Sequence, residues 1–268
     1  MRTNRAFWAI LLVLVGVIFL LQNFEFLPGN FWTLFWPALL ILIGVWLLLR
    51  PRLIKNQEGS LEAETLSLPL ESGLTEAMIK FEHGAGRLQI NAGDNPIELV
   101  GGSFVGGVDS KVDLLQSIPT VKLSARDHVV NSPVFLSGQG FNWDVRLNRQ
   151  IPLHLKLSTG AGENHLDLTD LLVKEIKLET GASSTEILLP AHAQQTHVEI
   201  EAGAATVRLR VPAGVAARIK SETGLSSVTV DTDRFPRQGD VYVSPDYDLA
   251  ANRIDIDIEG GMGSFDIR

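Results

Sequence analysis

An all-β domain, coiled as a parallel β-helix or β-solenoid and preceded by a two-helix transmembrane hairpin, is predicted by three features of this 268-residue sequence. The composition breaks sharply near residue 55, with apolar runs before it and short alternating segments after it. Beyond the break, apolar and polar residues alternate with period two, the pattern of a strand with one buried face. Glycine then recurs at a fixed interval within that alternating region, the mark of a repeat architecture.

The first segment divides into two apolar runs. Ala6 to Leu21 is unbroken and continues through Phe24, Phe26 and Leu27; Pro28-Gly29-Asn30 makes a turn; Phe31 to Leu49 is a second run without charge. Nineteen residues at about 1.5 Å each span roughly the 30 Å of a bilayer core. Residues 1–50 are therefore expected to form a hairpin with helices at about 6–26 and 31–49, with Trp8, Trp32 and Trp36 near the interfaces and 51–59 as a juxtamembrane linker. A cleaved signal is the competing reading of the first run, since Arg2 and Arg5 give it a basic front. No small-residue cleavage pattern follows Leu21, however, and a second full-length apolar run arrives soon after.

The cations set the expected orientation. Arg2 and Arg5 precede the first helix, Arg50, Arg52 and Lys55 follow the second, and the intervening loop carries only Glu25, so both termini are expected in the cytoplasm. The whole chain is acidic, with 23 Lys and Arg against 31 Asp and Glu and a net charge of −8. The basic segment holds +4 of this, so residues 56–268 carry −12, a balance that gives no footing to nucleic acid. The absence of cysteine excludes disulfides, thiolate metal sites and thiol nucleophiles.

Residues 60–268 are read as the β-solenoid domain. Leu155-Lys156-Leu157 leads to Gly160-Ala161-Gly162 and on to Leu166-Asp167-Leu168, and the same sentence recurs around Gly84, Gly181, Gly203, Gly224 and Gly261. The steps Gly160 to Gly181, Gly181 to Gly203 and Gly203 to Gly224 are 21, 22 and 21 residues. No helical pattern is available to cover a sheet, so the apolar faces must cover one another, by stacking coils of about 21 residues. Glycine is expected to supply corner angles forbidden to other residues. A β-sandwich is the alternative, in which the regular period would be accidental.

The period breaks between Gly84 and Gly160 and between Gly224 and Gly261; the second insert, with Arg234 to Asp240 and Ser244 to Asp248, reads as surface loops. The last repeat is expected to be the end coil, with Asp255, Asp257, Glu259 and Asp266 guarding its edge.

Motifs that would carry chemistry were sought among the same residues. The Gly-x-Gly turns lead into strands rather than into a helix N-terminus, so they read as corners and not as phosphate loops. Of the six histidines (His83, His128, His154, His165, His192 and His197), none is paired at helical zinc spacing; His154 lies on the polar parity of its strand. Asp255, Asp257 and Glu259 form an acidic row able to hold a hard cation, but period-two acids opposite Ile254, Ile256 and Ile258 are more simply a solvent face. Gly260 to Phe265 is one degenerate copy of a calcium-binding nonapeptide. No catalytic, cofactor-binding or metal-ligating residue is assigned, and no cofactor is expected.

Phe35-Trp36-Pro37-Ala38-Leu39-Leu40-Ile41-Leu42-Ile43-Gly44 resembles the second membrane helix of bacterial LiaF-like proteins, also called cell-wall-active antibiotic response proteins. Trp143 to Leu147, Ile151 to Leu153, Leu155 to Leu172 and Glu98 to Phe104 are similar to that family's toast-rack β domain. The resemblance covers most of the chain, and its motifs are apolar alternation and glycine. It implies a membrane-anchored regulator of envelope-stress signalling, best known as an inhibitor of a histidine-kinase two-component system, with no catalytic residues to transfer. Better-known members carry a second pair of membrane helices where this chain passes directly to the β domain. The expected partners are the lipid bilayer and a membrane or signalling protein; the alternative is an adhesin-like or envelope scaffold that self-associates through its C-terminal coil.

Overall fold

The computed structural model describes residues 63–115, 117–126 and 141–268, and every regular element among them is a β-strand. The expected hairpin at 1–50 and linker at 51–59 lie outside the described residues, as does His128. The strands are β1 (Ala63–Pro69), β2 (Ala77–Ala92), β3 (Glu98–Val105), β4 (Asp109–Asp113), β5 (Thr120–Ser124), β6 (Phe141–Leu147), β7 (Leu153–Asp167), β8 (Val173–Leu188), β9 (Gln195–Arg210), β10 (Ala216–Val230), β11 (Arg237–Gln238), β12 (Val241–Val243) and β13 (Arg253–Ile267).

Six long strands of 15 or 16 residues form the body, parallel and in the order β2, β7, β8, β9, β13, β10. Each bends at a corner, where pairing pauses at the repeat glycine and then resumes. In β7 the inward residues are Leu153, Leu155, Leu157 and Thr159 before the corner, and Asn164 and Leu166 after it, with Gly160 to Glu163 turned outward between them. The two halves of every coil thus point their apolar rows into one shared core, so the β-solenoid reading holds. Where the sequence suggested two short strands per repeat, one long strand runs through the corner, with pairing interrupted at the repeat glycine and, between β8 and β9, from Gly181 to Ser183.

The core consists of columns perpendicular to the strands. Ile79, Leu155, Ile176, Val198, Ile256 and Ile219 stand in register in successive coils, each at most 1 % exposed. Beside them run Phe81, Leu157, Leu178, Ile200 and Ile258, and this column ends at Ser221 of β10. Burying each Leu or Ile contributes about 1.5–3 kcal/mol. At the corner the inward pairs exchange volume between coils: Thr159 with Asn164, Thr180 with Thr185, Ala202 with Val207, and Gly260 with Phe265. A methyl group on Gly260 would stand 2.6 Å from the Phe265 ring, so the ring occupies the place of the missing side chain.

In β7 and β8 this corner interior is polar but closed. Thr159 donates to Thr180 at 2.9 Å and Asn164 Nδ2 donates to Thr185 at 2.9 Å. Both residues of each pair are buried, and each hydroxyl or amide placed there has a partner, as burial requires.

The repeating glycines act by close approach rather than by left-handed angles. Gly84, Gly160, Gly181, Gly203, Gly261 and Gly224 follow one another along the stack, and a Cβ on Gly181 would lie 2.6 Å from the Gly160 carbonyl oxygen and one on Gly261 2.7 Å from that of Gly203. None of these six has a positive φ; that conformation is taken two residues later, at Gly86, Gly162 and Gly263. Ser183, Ala205 and Ser226 occupy the same place in the other coils without it.

The long gap between Gly84 and Gly160 closes the first end of the stack. β5 lies along the first half of β2 and β6 along its second half, so the two together replace one bent strand. β3 then pairs antiparallel with β6, β1 with β3, and β4 with β5. Beneath them Trp143 makes edge contacts with Phe104 and His83, ring centres 5.2 and 5.0 Å apart. His83 is 2 % exposed and its Nε2 donates to the Phe141 carbonyl oxygen at 3.1 Å; burial lowers its pKa below the ordinary 6.5, with that hydrogen bond opposing.

At the other end the expected order fails. β13 does not end the stack; it inserts between β9 and β10, paired along both edges, so the end coil is β10. Inward residues explain the choice. β13 offers Ile254, Ile256, Ile258, Phe265 and Ile267, all at most 1 % exposed, which need neighbours on both sides. β10 carries Ser221, Thr223 and Ser226 on its inward parity and tolerates the end. Consequently Asp255, Asp257, Glu259 and Asp266 lie on the outer face of an interior strand and guard no edge. The insert is also less loop-like than expected: β11 and β12 form a hairpin beside Arg218–Lys220, while Phe235 and Tyr247 are buried at 1 % and 5 %.

Gly181→Ala is expected to cost about 1–3 kcal/mol in chemical denaturation through overpacking against the Gly160 carbonyl. Gly203→Ala, whose methyl would stand 3.3 Å from Gly181, costs less; equal losses would show that the column does not constrain stacking. For His83, the unfolded chain takes up its proton before the folded one, so stability is full above about pH 6.5 and declines on acidification until folded His83 itself titrates. His83→Gln is expected to flatten that decline in melting temperatures measured from pH 7.5 to 5.

Candidate functional site

The corners of successive coils enclose a groove of about 1210 Å³ running along the stack. Its floor is the glycine column, which has no side chains to fill the space, and its inner wall includes His83, Thr159 and Thr180. Along one side runs a register row of carboxylates. Glu82, Glu179, Glu201, Glu259 and Glu222 occupy equivalent positions in five of the six coils, with Ser158 in the sixth. Parallel strands repeat at about 4.8 Å, so the row has a fixed spacing that loops could not hold.

A second row two residues earlier is mixed in charge: the cations Lys80, Lys156 and Lys177, the acids Glu199 and Asp257, and Lys220. Lys156 reaches Glu179 at 3.3 Å, Lys177 reaches Glu199 at 2.8 Å and Glu201 at 2.9 Å, and Lys220 reaches Glu222 at 2.7 Å. Lys122 of β5 reaches Glu82 at 2.6 Å. Hydrogen bonds donated by Lys177 to Glu199 and Glu201 raise the Lys177 pKa and hold that of Glu199 low. The Lys220–Glu222 pair shifts the same way, Lys220 up and Glu222 down. These groups face solvent, so they organise charge more than they stabilise the fold. Four of the five carboxylates of the row thus carry a lysine partner, and the groove edge presents both signs of charge.

The other candidate residues are dispersed. His154 sits between Glu76 at 3.4 Å and Glu175 at 3.1 Å, and His165 lies 3.4 Å from Glu186. Asp255 accepts the Tyr247 hydroxyl at 2.6 Å and lies 3.6 Å from Arg218; burial and that hydrogen bond push the Tyr247 pKa up to about 12. Asp257 lies 3.9 Å from His197, while Glu259 alone of that triad lines the groove. Among the described residues no three His, Asp or Glu side chains are grouped to hold a metal ion. The carboxylate row went unnoticed in the sequence, although Glu179, Glu201 and Glu222 each stand two residues before their repeat glycine.

No curated protein matches this chain. Among solved structures, a proposed cell-adhesion protein from Clostridium sporogenes superposes with a TM-score of 0.68 at 23 % identity, over 77 % of this chain and 99 % of that one, which shows the shared fold. A proposed adhesin from Bacteroides fragilis is 7 % identical with a TM-score of 0.25, over 77 % of this chain and 97 % of that one. The profile of the LiaI-LiaF-like transmembrane region matches residues 6–48, which associates the protein with the membrane. The profile of the N-terminal domain of toast-rack proteins, DUF2154, matches residues 55–210, and the chain belongs to that family as a LiaF-like toast-rack membrane protein.

Proposed function

We propose that this protein is a non-enzymatic, membrane-anchored regulator of envelope-stress signalling that works by holding a membrane or signalling protein against the acid-lined corner groove. The observation that carries this reading is the register row Glu82, Glu179, Glu201, Glu259 and Glu222, a ladder of carboxylates along the groove that only Ser158 interrupts. Carboxylates in such a ladder steer and orient a basic partner more than they add bulk affinity. The arginines flanking the two apolar runs support a multi-pass anchor with both termini in the cytoplasm, which puts the solenoid on the side where a kinase domain would lie.

A second reading, an adhesin-like or envelope scaffold, draws support from the fold shared with the proposed adhesion protein of Clostridium sporogenes. Topology separates the two. The chain has no cysteine, so Asn30→Cys in the expected outer loop and Met262→Cys, 56 % exposed at a corner, can each be probed with a membrane-impermeant maleimide. Labelling of position 30 in intact cells, and of position 262 only after lysis, is the expected result; labelling of position 262 in intact cells would favour the scaffold. On the regulatory reading, Glu179→Lys with Glu201→Lys and Glu259→Lys lowers recovery of the membrane partner by about tenfold or more without changing the melting temperature. Unchanged recovery would remove the groove as the binding surface.

A further inference from the structure

The end coil is half finished. β12 covers β10 only at Arg218, Ile219 and Lys220, and among the described residues nothing pairs with the outer edge of 221–230. The side chains show the same incompleteness. Val228 and Val230 occupy the inward columns that hold Val207 and Leu209 in β9, and Phe265 and Ile267 in β13, yet they are only half-buried. At the adjoining corner Leu225 is 83 % exposed and Met262 is 56 % exposed, whereas the corresponding corner residues of the other coils are Ala85, Ala161, Ala182 and Ala204. Exposed apolar surface at this end thus lies beside an open stretch of the backbone ladder.

This edge also lacks the defence that open edges ordinarily carry. In the other coils the outward row of Ser227 holds Arg87, Glu163, Ser184, Thr206 and Ser264, and the row of Thr229 holds Gln89, His165, Glu186, Arg208 and Asp266, so each coil carries a charge after its corner. In β10 the run Thr223 to Val230 has no charge, and its outward positions are Leu225, Ser227 and Thr229. Lysine and other charges on an edge strand are the common device against strand addition, and in β10 they stop at Glu222, leaving residues 223–230 without one. Short, neutral, β-branched segments are the ones that pair.

We infer that the outer edge of β10, residues 223–230, is a pairing surface for the same edge of a second copy of this chain, joined antiparallel across a two-fold axis. Self-pairing needs a strand that meets its own image without like charges opposed, and this neutral run satisfies that where the corresponding segments of the other coils do not. A two-fold contact closes after two copies, whereas joining β10 to the distant β1 edge would be heterologous and open-ended. The pairing would extend the Val228 and Val230 columns into those of the partner and cover Leu225. Attachment of both copies to one membrane raises their effective concentration, so a contact of modest area is sufficient. The self-association expected at the C-terminal strand is thereby moved to β10, because β13 is already paired on both sides. The inference is independent of what occupies the acidic groove.

Single cysteines in the full-length chain, expressed in membranes, test this with a short bis-maleimide. Ser227→Cys on the open edge is expected to yield a cross-linked pair of identical chains. Ser184→Cys, in the same outward row but on interior strand β8, is expected to yield none. Adding Thr229→Lys to the Ser227→Cys chain places like charges across the axis and is expected to lower the cross-linked product about tenfold, with an unchanged melting temperature as the check on folding. Cross-linking of position 227 to a different protein, absence of any product, or a product indifferent to Thr229→Lys would each overturn the inference. The groove variants with lysine at 179, 201 and 259 are expected to cross-link through position 227 as before, which keeps this result separate from the partner-binding reading.

Discussion

Stacking in this protein depends on how closely one corner can approach the next. Gly160 lies against the carbonyl of Gly84, Gly181 against Gly160 and Gly261 against Gly203, with no room for a methyl group at any of them. With those contacts the coils bend at the same height, and ladder pairing resumes on the far side of the bend in the same register. The apolar columns on either side then align as a consequence. A side chain at one corner would tilt one coil relative to the next and misalign Ile79, Leu155 and Ile176 as surely as a change in the core itself.

The same strict register organises the outside. Each outward residue meets its equivalent in the coils above and below, so one repeated residue becomes a ladder rather than a point. Glutamate two residues before the corner therefore yields an acidic row broken only at Ser158, and lysine two residues before that yields a partly cationic one. The floor is glycine for steric reasons unrelated to binding, yet its bareness is what leaves the groove open. A structural necessity of the stack and the surface offered to a partner are thus built from one set of positions.

Ends are where a solenoid must depart from repetition, and this one treats its two ends differently. At the first, β5 and β6 share the work of one strand, and β1, β3 and β4 turn the ladder antiparallel around a tight cluster of Phe104, Trp143 and His83. At the second, the chain passes β10, builds a small hairpin against Arg218, Ile219 and Lys220 of its edge, and returns to lie inside the stack. The most apolar coil is thereby protected, and the coil with inward serines and a threonine is left outside.

Much of this architecture was legible in the sequence because β-structure writes its burial pattern with period two and a stack writes its coil length with period 21. Apolar residues such as Leu155, Leu157, Leu166 and Leu168 had to face one core once no helix was available to cover them. The acidic row was equally present, since glutamate stands two residues before Gly181, Gly203 and Gly224, but it becomes a surface only when register places those residues side by side. Three matters were decided by tertiary structure alone. His83 is buried because it shares the inward parity of Ile79 and Phe81 and meets Phe141 and Trp143 across a gap of nearly 60 residues. The glycines are required by the carbonyl of a neighbouring coil, which the local sequence does not contain. The position of β13 between β9 and β10 follows from comparing the burial needs of two coils that are individually alike. Local sequence specifies the coil; the order in which coils stack is set by the free energy of exposing one apolar face rather than another to water.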